Sequence, residues 1–100
     1  MPAVAERSLA TLQREIAEHL RGVRARLAEE IRTYPTPIPR CDAQFNHLYE
    51  QQGRLARDLD RLGADRESIE RFIGSAPYSD DASERDFRSR IKRELAALDR

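Results

Sequence analysis

The chain has 100 residues, enough for one small domain with a limited core. Its 18 basic and 18 acidic side chains cancel to a net charge of zero, whereas a dedicated nucleic-acid-binding domain usually carries a basic excess. No window approaches the roughly 18 apolar residues of a membrane span, so we expect no membrane partner. Glu6 and Arg7 stand where a signal peptide needs an apolar run, and one cysteine allows no internal disulfide, so we expect a cytoplasmic protein.

The first predicted helix covers residues 3–33. Its large apolar side chains recur three or four positions apart, which places them on one helical face: Leu9, Leu12, Ile16, Leu20, Val23, Leu27, Ile31 and Tyr34. Alanines beside this stripe indicate a buried face wide enough for two neighbouring helices: Ala10, Ala17 and Ala28. Because Tyr34 precedes a proline, the helix should end there.

A connector with three alternating prolines follows, at Pro35, Pro37 and Pro39. Proline fixes φ and has no N–H, and it pushes the preceding residue towards extended backbone. The segment is therefore predicted to be a stiff, extended link between two helices. Its prolines are two apart rather than three, which does not match the PxxP spacing of polyproline ligands.

Cys41 lies at the end of this connector, directly before the expected start of the next helix. A helix start and Arg40 would favour a thiolate, whereas Asp42 would oppose it. Cys41 also falls on the apolar seam of the second helix, and a buried structural thiol is inert. The pattern favours an inert cysteine and leaves a thiol-based sensor as an alternative.

The second predicted helix covers residues 42–62, and Gly63 ends it. Its seam steps alternately by three and four residues and contains one polar member: Phe45, Leu48, Gln52, Leu55, Leu59 and Leu62. This helix is shorter than the first, so after folding back it should reach only to about the level of Gln13. The start of the first helix then needs a different cover.

Two shorter helices, over residues 66–73 and 82–98, can supply that cover. Asp65 is a suitable N-cap for the third helix, and Asp81 with Glu84 resembles a capping box at the start of the fourth. The predicted fold is all-α: a long antiparallel helical hairpin with a proline-rich connector and two shorter helices, forming a three- or four-helix bundle. Residues 1–100 are predicted to be a single helical domain.

Neither histidine has the neighbours that a metal site requires. Glu15 and His19 lie one turn apart, as do His47 and Glu50. Di-iron helical bundles, however, need a Glu-x-x-His pair on each of two helices, and here one pair has the wrong spacing and the other the reversed order. No residues suggest a nucleophile with its base or a glycine-rich phosphate loop. We therefore predict neither a metal nor a cofactor, and no enzymatic activity.

Basic side chains cluster on the fourth helix: Arg85, Arg88, Arg90, Lys92 and Arg93. A solvated helix face paired with neighbouring carboxylates accounts for them, and a nucleic-acid-binding regulator is the alternative. Gly22 and Gly53 lie inside helices, where each costs about 1 kcal/mol relative to alanine. They are either tolerated weak points, or they form a flexible waist in the hairpin or a groove that admits the fourth helix or another subunit.

The leading hypothesis is a small non-enzymatic protein that binds another protein or a second copy of itself. It rests on the wide apolar face of the first helix, which shorter helices must cover. The predicted contact residues lie on the connector and the first turns of the second helix, where polar tips can meet a partner: Ile38, Arg40, Cys41, Asp42, Asn46 and Tyr49.

Overall fold

A computed structural model describes residues 8–35 and 42–98. In chain order the helices are α1 (Leu9–Arg32), α2 (Ala43–Arg61), α3 (Arg66–Gly74) and α4 (Ala82–Ala97). The described residues contain no strand, so the predicted all-α class is confirmed. The predicted contact residues Ile38, Arg40 and Cys41 lie outside the described residues.

Side-chain caps set the start of each helix. Ser8 has extended backbone and accepts a hydrogen bond from the Thr11 amide, so α1 begins at Leu9. The predicted helix start at residue 3 lies outside the described residues. Asp42, Asp65 and Asp81 cap α2, α3 and α4 as predicted. Each cap oxygen satisfies an amide that has no partner within its helix, which is why short polar residues mark these boundaries.

α1 and α2 form an antiparallel hairpin. At one end the Tyr34 hydroxyl donates to Asp42, and at the other Gln13 Nε2 donates to the Leu62 carbonyl oxygen over 3.2 Å. α2 thus ends beside Gln13, as its length predicts. Leu48 and Leu55 are 7% and 0% exposed, so the seam of α2 faces inward.

α3 and α4 pack on each other and on α1. Together the four helices enclose one apolar cluster: Leu12, Ile16, Leu20, Val23, Leu27, Leu48, Leu55, Ile69, Phe72, Ile91 and Leu95. Of the alanines beside the α1 stripe only Ala17 is buried, whereas Ala10 and Ala28 are exposed. The buried face of α1 is therefore narrower than predicted.

The molecule measures 56 × 25 × 23 Å along its principal axes. α4 meets α1 between Glu15 and Arg26, so the hairpin continues past α4 towards Arg32 and Ala43. This projecting end is called the hairpin tip below. Among the described residues, no helix combines the length and the apolar character that crossing a membrane requires.

Candidate functional site

An aromatic ladder lies on the hairpin tip. The ring of Tyr34 meets that of Phe45 edge to face at 5.0 Å between centroids, and Phe45 meets Tyr49 in the same way at 4.9 Å. Such edge-to-face pairs bring the positive ring edge to the negative ring face. Tyr49 ends the ladder with 53% of its surface exposed, and it is the one exposed large hydrophobic residue in the described ranges.

Asp42 fixes the base of this ladder. Its carboxylate accepts the Phe45 amide at 2.9 Å and the Tyr34 hydroxyl at 2.7 and 2.8 Å. These hydrogen bonds lower the pKa of Asp42, with the Phe45 amide contributing most, and the bond to the carboxylate raises the pKa of Tyr34. Asp42 is therefore ionised and Tyr34 protonated near neutral pH, and one cap joins the ends of two helices.

Asp42, Asn46 and Tyr49 follow one another at spacings of four and three residues, so they lie along one face of α2. The structure brings these three predicted contact residues together: Asp42 is half-buried, whereas Asn46 and Tyr49 are exposed. We call Tyr34, Asp42, Phe45, Asn46 and Tyr49 the tip surface. Sequence reasoning missed Tyr34 and Phe45, because their ladder depends on how the two helix ends meet.

A groove of about 570 Å³ opens beside the tip surface. It is lined by residues from both helices: Glu30, Thr33, Tyr34, Pro35, Asp42, Gln44 and Leu48. A second groove of about 290 Å³ shares Glu30, Gln44 and Leu48 with it and runs along the hairpin to Tyr78 and Ser79. The two grooves therefore form one shallow depression at the hairpin tip, lined by both polar and apolar residues.

A second cluster of functional groups is buried between α1, α3 and α4. Glu84 and Arg88 are 2% and 8% exposed, and they form an ion pair with Arg88 Nε 3.0 Å from Glu84 Oε2. Arg88 is therefore buried and does not lie on a solvated helix face, and Glu84 does not complete a capping box, so both predictions are wrong. Glu84 points inward and accepts the Tyr78 amide at 2.8 Å instead. The Glu84–Arg88 spacing of four residues was the available signal.

Arg88 also binds the C-terminal end of α3. Its Nη1 donates to the Phe72 and Ser75 carbonyl oxygens at 2.6 and 3.0 Å, and its Nη2 donates to the Ala76 carbonyl oxygen at 3.3 Å. The guanidinium carbon lies 4.2 Å from the centre of the Phe72 ring. One side chain of α4 thus donates to the Phe72 carbonyl near the end of α3, which also accepts the Ser75 amide, and to two carbonyl groups just after that helix.

The basic side chains of α4 are partly committed to carboxylates. Besides the buried Arg88, Arg90 Nη1 lies 3.1 Å from Glu15 and 3.0 Å from Glu94, and Arg85, Lys92 and Arg93 are exposed. Two of the five basic residues are thus paired with carboxylates, and the nucleic-acid alternative stays a prediction.

No group of three or more metal-ligating side chains comes together within residues 8–35 and 42–98. His19 packs among aromatic rings, and His47 lies on the exposed surface of α2. Comparison of the chain with protein-family models, with curated proteins and with solved structures finds no match in any of the three.

Proposed function

We propose that this protein is a non-enzymatic helical module that binds another protein through the tip surface. The observation that supports it is the exposure of Tyr49 at 53% on a rigid aromatic ladder. Tyrosine is among the residues that dominate binding energy at protein interfaces. An exposed side chain held in place by its neighbours loses little conformational freedom on binding, so more of the contact energy remains as affinity.

The surroundings of Tyr49 fit a protein partner. Asn46 supplies a polar group one helical turn away, and the groove beside Tyr34 and Leu48, whose lining does not include Tyr49, lies at the same end of the hairpin. An apolar centre with a polar rim is the usual anatomy of such interfaces. With a single cysteine and a balanced charge, we further propose that the partner is met in the cytoplasm.

A second copy of the chain is one possible partner. The apolar stripe of α1 is already covered by α2, α3 and α4 within one molecule, so closing the core does not require a dimer. Self-association through the tip surface would therefore resemble a contact between two folded monomers. It would depend on concentration in the micromolar range and on Tyr49.

The test places a photo-crosslinking phenylalanine analogue at position 49 of the full chain, in cells of the source organism. We expect a discrete crosslinked species, either a dimer or a complex with one other protein, because Tyr49 would lie at the centre of the interface. The same analogue at Asp60, exposed near the opposite end of α2, is the matched control.

The crosslinked species should be lost when Asn46→Ala is added to the chain that carries the analogue at position 49, and the analogue at Asp60 should yield no such species. Sedimentation velocity of the purified chain then distinguishes self-association from binding to another protein. A chain that remains monomeric and gives equal, diffuse crosslinking at both positions would exclude the tip surface as a binding site.

A further inference from the structure

A cleft of about 380 Å³ separates α1 from the start of α4. Its walls come from α1 and from the α3–α4 loop with the first turn of α4: Glu18, His19, Gly22, Val23, Arg26, Ser79, Asp81, Ser83 and Glu84. At its base, His19 Nε2 faces Glu84 Oε1 at 3.9 Å. Both atoms are buried and neither has a hydrogen-bond partner in the described structure. Buried polar atoms of this kind are costly and often mark a functional role.

Aromatic rings hold the imidazole of His19 in place. Phe87 of α4 stacks on it at 4.5 Å between centroids, and Phe72 of α3 meets it edge to face at 6.2 Å. Little water reaches the ring, since 17% of the side chain is exposed. An imidazolium in this position would lose most of its hydration.

The charged groups around His19 have opposite effects on its pKa. Glu84 and Arg88 face it from α4, Glu18 and Arg26 flank the cleft on α1, Asp81 lines the cleft, and α3 contributes the uncharged Phe72. Burial is the largest influence and lowers the pKa of His19; Glu84 raises it, whereas Arg88 and Arg26 lower it further. The single nearby buried carboxylate is already shared, because its other oxygen holds Arg88 and the Tyr78 amide.

We propose that His19 makes the junction between α1 and α4 responsive to pH: when His19 takes up a proton, the start of α4 and the α3–α4 loop separate from α1. The buried site then contains two cations, His19 and Arg88, for one carboxylate. Opening of the cleft hydrates the imidazolium and relieves this imbalance. The segment that moves includes Tyr78, whose amide donates to Glu84 in the closed form.

The direction of the effect follows from linkage. In the open form His19 returns to its ordinary pKa of 6.5, whereas in the closed form its pKa is lower. The open form therefore binds the proton more tightly. Above pH 6.5 the closed form has its full stability; as the pH falls through 6.5 that stability is lost, until the pKa of the closed form is reached. From about pH 7.5 to about pH 5.5 the opening equilibrium should rise by up to about tenfold.

Hydrogen exchange of the Tyr78 amide in the full chain measures this opening. After correction for the pH dependence of chemical exchange, we expect more opening at about pH 5.5 than at about pH 7.5, by up to about tenfold. His19→Phe keeps an aromatic ring in the stack and cannot titrate, so its opening should not change between these pH values. His47→Phe removes the exposed histidine and should keep the wild-type increase.

A second measurement covers the case in which His19→Phe does not fold. An NMR titration of the wild-type imidazole resonances should give His19 a midpoint below the ordinary imidazole value of 6.5. The proposal would be overturned by a Tyr78 opening that is the same at both pH values, by a change that persists in folded His19→Phe, or by a His19 midpoint at or above 6.5. It would also be overturned by Tyr78 exchanging no faster than Leu55 of the core, because opening would then be global.

Discussion

At the scale of single residues, Arg88 links α4 to the end of α3 and to the loop that follows it. It pairs with Glu84 on its own helix and donates to carbonyl oxygens of Phe72, Ser75 and Ala76. A buried ion pair adds little net stability compared with apolar residues, but removal of one partner leaves a buried charge without compensation. Arg88 therefore stabilises the fold mainly because its removal would leave the buried carboxylate of Glu84 without a cation.

Replacement of Arg88 by methionine should lower the free energy of unfolding by about 3–5 kcal/mol, because Glu84 then remains buried and unpaired. Urea unfolding followed by far-ultraviolet circular dichroism measures the change. Arg85→Met, at an exposed position of the same helix, is the control and should cost less than about 0.5 kcal/mol. Equal costs for the two variants would show that the buried pair does not stabilise the fold.

At the scale of helices, the glycines separate into two kinds. A Cβ added at Gly22 would meet no atom within 4 Å, and one added at Gly53 would touch only the flexible end of Arg57 at 3.6 Å. At Gly63, just after α2, the new Cβ would lie 2.6 Å from Asp65 Oδ1. That oxygen belongs to the carboxylate that caps α3 and receives the Ser68 hydroxyl.

Gly22→Ala and Gly53→Ala should therefore each raise the free energy of unfolding by about 0.5–1 kcal/mol, the difference in helix propensity. Gly63→Ala should lower it, because the new methyl group displaces the α3 cap, which is itself worth about 1 kcal/mol. Urea titrations of the three variants measure these changes. If Gly22→Ala destabilised the chain, the cleft wall would require a residue without a side chain at position 22. That result would favour the groove interpretation.

Local signals explain why the helices could be predicted. Asp42, Asp65 and Asp81 each cap the helix that follows, and capping depends on only a few neighbouring residues. Glu84 shows the limit of this reasoning. It occupies the capping-box position, but the buried Arg88 and the Tyr78 amide compete for its carboxylate, and that competition exists only after α3 and α4 pack together.

The sequence likewise predicts one part of the candidate site and not the other. The spacing of Asp42, Asn46 and Tyr49 places them on one helical face, and the structure agrees with this placement. The contribution of Tyr34 depends on the meeting of two helix ends, which no local pattern shows. The sequence around His19 raises only the question of metal binding, because nothing in its neighbourhood along the chain indicates that Phe72 and Phe87 surround it.

At the scale of the whole molecule, the long axis divides the hairpin into two environments. Between Gln13 and Arg26, α1 is packed by neighbours that include α3 and α4, whereas the ring contact described at the hairpin tip joins the end of α1 to α2. Leu27 and Leu48 at the tip are 9% and 7% exposed, compared with 0% for Leu12, Ile16 and Leu20. This less complete burial should make the tip less stable than the middle.

Hydrogen exchange along the full chain should show this gradient. Amides of Leu27 and Leu48 should be at least about tenfold less protected than those of Ile16 and Leu20, because fewer buried contacts must break to expose them. Mass spectrometry of peptides from the two ends measures the difference at one pH. Uniform protection from one end to the other would indicate that the hairpin opens only by global unfolding.

The hydrogen bonds from Arg88 also show that α3 depends on the rest of the fold. α3 has nine residues, too few to persist as an isolated helix in water. The Phe72 carbonyl near its end and the Ala76 carbonyl just beyond it receive donors from a side chain 16 and 12 positions later in the chain. A fragment that ends before α4 should therefore leave α3 without the contacts that hold it helical.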